Sequence, residues 1–265
     1  MLAARVGTAA VLIAGLLAAL FFLPAPALAA LIAAIVALAG YEWAKLCRLG
    51  PAASVAYALV AAACVAVPAW TGAAKPLIVI GAAFWIGVAP IWLWRGVRTS
   101  HAPLLAAAGL AVLAPAGAAM VLLSPLQILI TLGLTWVADT AAYFVGSRFG
   151  RHKLAPTISP GKTWEGAAGA MAGCVVYAII CAAFVPQLQA GVTGGVWGAY
   201  MAAVAVLCVA SIAGDLFESA AKRQAGAKDS GTLLPGHGGI LDRIDSATST
   251  LPLAAVLWPM VGSQA

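Results

Sequence analysis

The chain has 265 residues, of which 64% are hydrophobic and only 8% charged, against roughly 25% charged in soluble globular proteins. So few charges cannot cover a water-soluble surface, so most of this surface must face lipid. A soluble enzyme, a disordered chain and, despite the net charge of +6, a nucleic-acid binder of the usual kind are excluded.

A bilayer core of about 30 Å needs ~20 apolar residues per helix. Cutting the chain at its charges, Pro/Gly clusters and polar gaps predicts spans at 6–23, 27–46, 52–69, 76–94, 103–123, 125–147, 164–185, 196–214 and 247–262. The expected fold is therefore an all-α polytopic membrane helical bundle with about nine transmembrane helices. With the N-terminus cytoplasmic, that side holds Arg5, Lys45, Arg48, Arg95, Arg98, Arg148, Arg151, Lys153, Lys162, Lys222, Arg223, Lys228 and Arg243, and the other side holds Lys75. This asymmetry is the positive-inside pattern, and it predicts a cytoplasmic N-terminus and an outward C-terminus. Ala27-Leu28-Ala29 after the first run also has the form of a signal-peptide cleavage site. The length of 6–23 and the apolar run that follows at once favour a retained span. The five cysteines show no CxxC or Cys/His metal spacing and read as buried apolar thiols.

The charges divide the chain at about residue 138. Before it the only acid is Glu42; after it come Asp139, Glu165, Asp215, Glu218, Asp229, Asp242 and Asp245. Residues 1–135 are expected to form a transmembrane scaffold, and 136–265 a catalytic region of spans and cytoplasmic loops. Asp139 lies well inside a span, with Trp136 and Tyr143 on its face, and an intramembrane acid is a functional candidate by default. In the next loop, Ser159-Pro160 has the chemistry of an N-cap followed by the first helical residue. A helix start there would offer free amides to an anion.

The densest cluster runs from Gly214 to Asp245. Asp215, Glu218 and Ser219 share a face if the helix continues, and Asp242 and Asp245 repeat the spacing at the start of the last span. Carboxylates at the membrane edge are costly unless paired, hydrated or bound to metal. Two acid-bearing helix ends around a glycine-rich loop suit a hard cation such as Mg²⁺, which takes one or two carboxylates, water and phosphate. Gly236, Gly238 and Gly239 allow backbone amides to approach an anion, and Lys222, Arg223, Lys228 and Arg243 add cationic donors. Metal, amides and cations together are what a polyphosphate requires.

These residues resemble the phosphatidate cytidylyltransferases, or CDP-diacylglycerol synthases. The family signature is filled by Ser219, Lys222, Arg223, Lys228, Asp229, Gly231, Leu234, Pro235, His237, Gly238, Gly239, Asp242, Arg243 and Asp245. Its upstream pattern is matched by Asp139, Ala142, Tyr143, Ser159, Pro160, Lys162, Thr163, Glu165 and Gly166, with Gly161 where a second lysine is expected. The resemblance implies that CTP and phosphatidate give CDP-diacylglycerol and pyrophosphate with Mg²⁺, at a site facing the cytoplasm of a bacterial-type inner or plasma membrane. It implies Asp215, Lys222, Arg223, Asp242 and Arg243 as catalytic residues, with Asp215 and Asp242 as first metal ligands. Asp245, Glu218 and Asp229 would be supporting ligands or serve a second cation. Asp139, Ser159, Lys162, Thr163, Ser219, Lys228, His237, Gly238 and Gly239 would contact substrate. The expected partners are CTP, phosphatidate, membrane lipids and a second copy of the chain, with no nucleic acid. A CTP-dependent polyprenol or phytol kinase is the nearest alternative, and a cation-coupled transporter a more distant one. The transporter's usual inverted repeat has no counterpart of the acidic motifs before residue 130.

Overall fold

A computed structural model describes residues 2–98, 102–233 and 238–261, with side chains from Gly7 onward. Helices α1 (Leu2–Phe22), α2 (Ala25–Leu46) and α3 (Pro51–Thr71) come first, followed by α4 (Ala74–Ala83) and α5 (Ala89–Arg95). Then come α6 (Ala102–Leu122), α7 (Pro125–Phe149), α8 (Trp164–Phe184), the short α9 (Pro186–Gly191), α10 (Val196–Ala225) and α11 (Leu241–Val261). A helix lies at every predicted apolar run. Among the described residues, seven helices are long and apolar enough to cross a membrane: α2, α3, the combined Ala74–Arg95, α6, α7, α8 and α10. The apolar part of α1, Gly7–Phe22, is shorter, and α11 opens with Asp242, Arg243 and Asp245. The protein is an all-α membrane bundle.

Local chemistry accounts for the departures from a plain set of rods. α4 and α5 are one span joined by a π-helical segment, Phe84–Val88, in which the Ala89 amide reaches back to the Phe84 carbonyl. Pro90 follows at once and has no amide to give, so a wider turn absorbs the mismatch. α10 continues to Ala225, well beyond the predicted end at 214, and stops where Gly226 adopts a left-handed φ of 76°. α11 likewise begins at Leu241, ahead of the predicted 247, so both acid pairs stand on helix.

One predicted helix start is wrong. Ser159–Thr163 is a strand, β2, paired antiparallel with β1 (Lys153–Ala155). The N-cap of α8 is Thr163, whose hydroxyl accepts the Gly166 amide at 3.1 Å. Thr163 and Ser159 both have capping chemistry, and Thr163 adjoins the apolar run that forms the helix. Pro160 is tolerated because a two-stranded ribbon has free edges on both sides.

The bundle packs as helical hairpins, α2 with α3, α7 with α8 and α10 with α11, around a central α6 whose Leu105, Val112, Leu113, Ala118 and Ala119 are buried. Phe22, Trp70, Trp94 and Phe184 point outward, where a bilayer would cover them. At one end Gln224 donates to the Leu46 carbonyl at 2.9 Å and Arg223 to the Ile158 carbonyl at 3.3 Å. The ends of α2 and α10, the β-hairpin and the start of α11 therefore meet. Lys75 opens α4 at the other end.

Candidate active site

The site forms where α10 hands over to α11. Phe217 on α10 is 1% exposed, stacked on Trp43 and met edge-on by Phe84, Trp85 and Trp92. With Phe217 locked into this aromatic nest, the rotation of α10 is fixed. Where α10 crosses α11, Gly214 leaves room for the backbone of Asp245; a Cβ there would sit 2.7 Å from the Asp245 carbonyl oxygen.

Lys222 is the hub. Its ammonium donates to Glu218 Oε2 at 3.0 Å and to Asp242 Oδ1 at 2.6 Å, and all three groups are nearly removed from solvent. The second Asp242 oxygen accepts the Ser230 amide at 3.0 Å, the Ser230 hydroxyl at 2.9 Å and the Gly239 amide at 2.8 Å. Burial works against the charge of Asp242, which stands ahead of the apolar stretch of α11. The Lys222 ammonium and the two amides nevertheless hold its carboxyl below the usual carboxylate range. Gly238 is held at φ +80°, and a Cβ there would lie 2.6 Å from Asp242 Oδ2. The glycine-rich loop was expected to cradle an external anion. Of its amides, that of Gly239 is given to the protein's own carboxylate.

A second lysine closes the other side. Lys162, on β2, pairs with Asp215 Oδ2 at 2.7 Å, while Ser219 donates to Asp215 Oδ1 at 3.2 Å. The hairpin thus carries a cation to α10. Asp139 and Asp245 lie within electrostatic range of Asp215, as Lys162 does of Asp139 and Lys222 of Asp245. Glu165, expected only as part of a pattern, holds the base of the hairpin through the Arg151 and His152 amides and the His152 ring.

The remaining expected site residues separate into two groups. Arg223 donates to the Ile158 and Ala227 carbonyls, so its charge has neutral partners. Lys228 and Asp229 are exposed on the loop, and Arg243 is exposed beside the site. Thr163 is buried as a helix cap, and Ser159 is half-buried at the start of β2. His237 and Gly236 lie outside the described residues. A cavity of about 480 Å³ runs from Asp139, Asp242, Arg243 and Asp245 into an apolar wall of Leu12, Leu16, Ile32, Val36 and Leu113. Trp136 lines it beside Asp139, whereas Tyr143 turns outward against Phe144.

Residues 3–261 match the Cytidylyltransferase family. The chain belongs to that family. It is 37% identical over 283 residues, 97% of each chain, to the phosphatidate cytidylyltransferase of Pseudomonas aeruginosa. The enzyme of that name from Haemophilus influenzae is 47% identical over 119 residues, 45% of this chain and 41% of the relative. That from Thermotoga maritima is 39% identical over 133 residues, 50% of this chain and 49% of the relative. This cytidylyltransferase is therefore a nucleotidyl-transferring enzyme of the membrane.

The donors of the cytidylyltransferase site suit a hard divalent cation. They are carboxylate oxygens on two facing helices, and two ammonium groups already stand against them. Among the described residues no three His, Cys, Asp or Glu side chains converge as a ready-made metal cluster, but Mg²⁺ needs only one or two carboxylates beside water and phosphate. Asp242 has four donors on its two oxygens, whereas Asp215 has two and Asp245 one, the Ser246 amide. Spare lone pairs are thus found on Asp215 and Asp245.

The residue least visible in the sequence is Glu42. It comes from α2, is 6% exposed, and accepts the Ile240 and Leu241 amides at 3.1 and 2.9 Å and the Ser230 hydroxyl at 3.1 Å. Its signal was available: a lone acid in an Ala/Leu span is costly without a partner.

Proposed function

We propose that this chain is an integral-membrane phosphatidate cytidylyltransferase that makes CDP-diacylglycerol and pyrophosphate from CTP and phosphatidate. The observation that carries the reading is the cavity whose polar end is Asp139, Asp242, Arg243 and Asp245 and whose wall is aliphatic. A lipid phosphate needs both chemistries side by side. The names of the relatives support the same substrates. The sorting of thirteen of fourteen basic residues to one side supports a site facing the cytoplasm, where the nucleotide is.

In this reaction an oxygen of the phosphatidate phosphate forms a bond to the α-phosphorus of CTP. The bond from that phosphorus to the bridging oxygen breaks, and pyrophosphate leaves with the electron pair. The nucleophile is already ionised, so the protein has no proton to remove and works by positioning and charge neutralisation. Arg223, Lys228 and Arg243 are the cations with charge to offer phosphates. Lys162 holds Asp215 in place and can exchange that partner for phosphate. Lys222 holds Glu218 and Asp242 rather than substrate. Asp215 and Asp245 would hold Mg²⁺, with Asp242 fixing the helix that bears Asp245. When bound, that ion supplies the positive charge shared by the phosphate oxygens. Lipid tails occupy the aliphatic wall, and Trp136 borders them.

Transfer of label from CTP tests the reaction. With phosphatidate as acceptor, a cytidine label should enter lipid and pyrophosphate should be released in equal amount. A γ-phosphate label entering a polyprenol or phytol, with no cytidine in lipid, would replace this reading by the kinase.

A further inference from the structure

Among the described residues, the mechanism above leaves one buried carboxylate unused. Glu42 is the sole acid of the first five helices, and none of its partners is a cation. It accepts the main-chain amides of Ile240 and Leu241, which open α11. These amides carry the positive end of the α11 dipole, so the carboxylate acts as an N-cap supplied from another helix. The fit is tight: a Cβ on Gly231 would come 2.5 Å from Glu42 Oε1, and one on Gly239 would overlap the Ser230 hydroxyl and sit 2.5 Å from Glu42 Oε2. The Ser230 hydroxyl lies 3.1 Å from Glu42 Oε2 and 2.9 Å from Asp242 Oδ2. A single hydroxyl thus joins the cap to the carboxylate held by Lys222. Neighbouring α2 contacts, Trp43 on Phe217 and Gln224 on the Leu46 carbonyl, tie the same helix end to α10.

We propose that Glu42 is a positioning residue for the transfer reaction: by seating the first turn of α11 it fixes where Asp242 and Asp245 stand relative to Asp215. It touches neither substrate nor metal. The proposal rests on the reaction given above.

The test uses purified full-length wild type, Glu42→Gln and Ser230→Ala, with turnover expressed per folded protein. Gln at 42 keeps the size but turns one acceptor into a donor facing amides that also donate. The expected result is a fall in kcat of about tenfold or more, as for loss of positioning in an active site, and a several-fold rise in the Mg²⁺ concentration giving half-maximal rate. Ser230→Ala should shift the Mg²⁺ curve in the same direction by less, because the amide contacts of Glu42 survive. A Glu42→Gln enzyme with wild-type kcat and Mg²⁺ curve, differing only in thermal midpoint, would overturn the proposal. Should Glu42→Gln fail to fold, the Ser230→Ala curve decides, and an unshifted curve overturns it. A wild type that transfers no cytidine to lipid defeats the reaction reading instead, whatever the variants do.

Discussion

At the turn from α3 to α4 the chain reverses through Gly72 in a left-handed conformation, and Lys75 stands exposed on the surface. At the turn from α10 to α11, Lys222 is buried between Glu218 and Asp242, and Asp242 is held in turn by Ser230 and Gly239. Both turns join apolar helices, and both contain lysine. At the first the charge meets water and can only bias orientation. At the second, Lys222, Glu218 and Asp242 each have a partner, a direction and little solvent, so their worth depends on every neighbour remaining in place. Only the second arrangement can orient two polyanions against each other.

The most severe way to disturb this contrast is Asp242→Asn. It removes the charge facing Lys222 and turns one acceptor into a donor against the Ser230 and Gly239 amides. Cytidine transfer to lipid should fall on the order of 10²–10³-fold, the scale seen when one oriented electrostatic contact is lost from an active site, while the protein still purifies as a monodisperse membrane protein. Activity within twofold of wild type would make the junction no more than a structural clasp.

Lys162→Ala should have an intermediate effect. The Lys162–Asp215 pair is partly exposed, so the stability change should be about 1 kcal/mol or less. The kcat/KM for CTP should nevertheless drop about tenfold, because the hairpin no longer brings its cation to α10. Thermal unfolding and initial rates on one preparation separate the two effects. An unaltered kcat/KM would move Lys162 out of the site.

Lys75→Gln gives the smallest effect and sharpens the comparison from the other end. An exposed change away from packing features falls within about 0.5 kcal/mol. Catalysis at the far end should be unchanged for correctly inserted protein, as initial rates and thermal midpoints would show.

Much of this was legible in sequence, for specific reasons. Long apolar runs leave a helix no alternative in lipid, so the helices could be read directly, though of the nine expected spans seven are long and apolar enough to cross among the described residues. Asp215, Glu218, Ser219 and Lys222 fall at helical spacing, and the uninterrupted α10 does place Ser219 and Lys222 on the acids four residues back. The hairpin was harder to read. Ser159-Pro160 and Thr163 offer competing helix starts, and the pairing of Lys153 with Thr163 depends on contacts that no local propensity encodes. The glycine loop was legible as a source of free amides, but not that one of them, Gly239, would be given to Asp242 of the same loop–helix unit. Glu42 was illegible as part of the site because its partners lie 188 to 199 residues away in sequence. The rule that marks Asp139 as an intramembrane acid marks Glu42 equally, but does not say what it meets.

The central claim is that carboxylates facing each other from α10 and α11 work with a divalent cation to bring CTP and a lipid phosphate together. The direct measurement is cytidine transfer by purified wild type after exhaustive chelation, with Mg²⁺ then titrated back. The account predicts no lipid-borne cytidine without the ion and recovery that saturates as it returns. Liponucleotide formed at full rate by chelator-treated protein would contradict it.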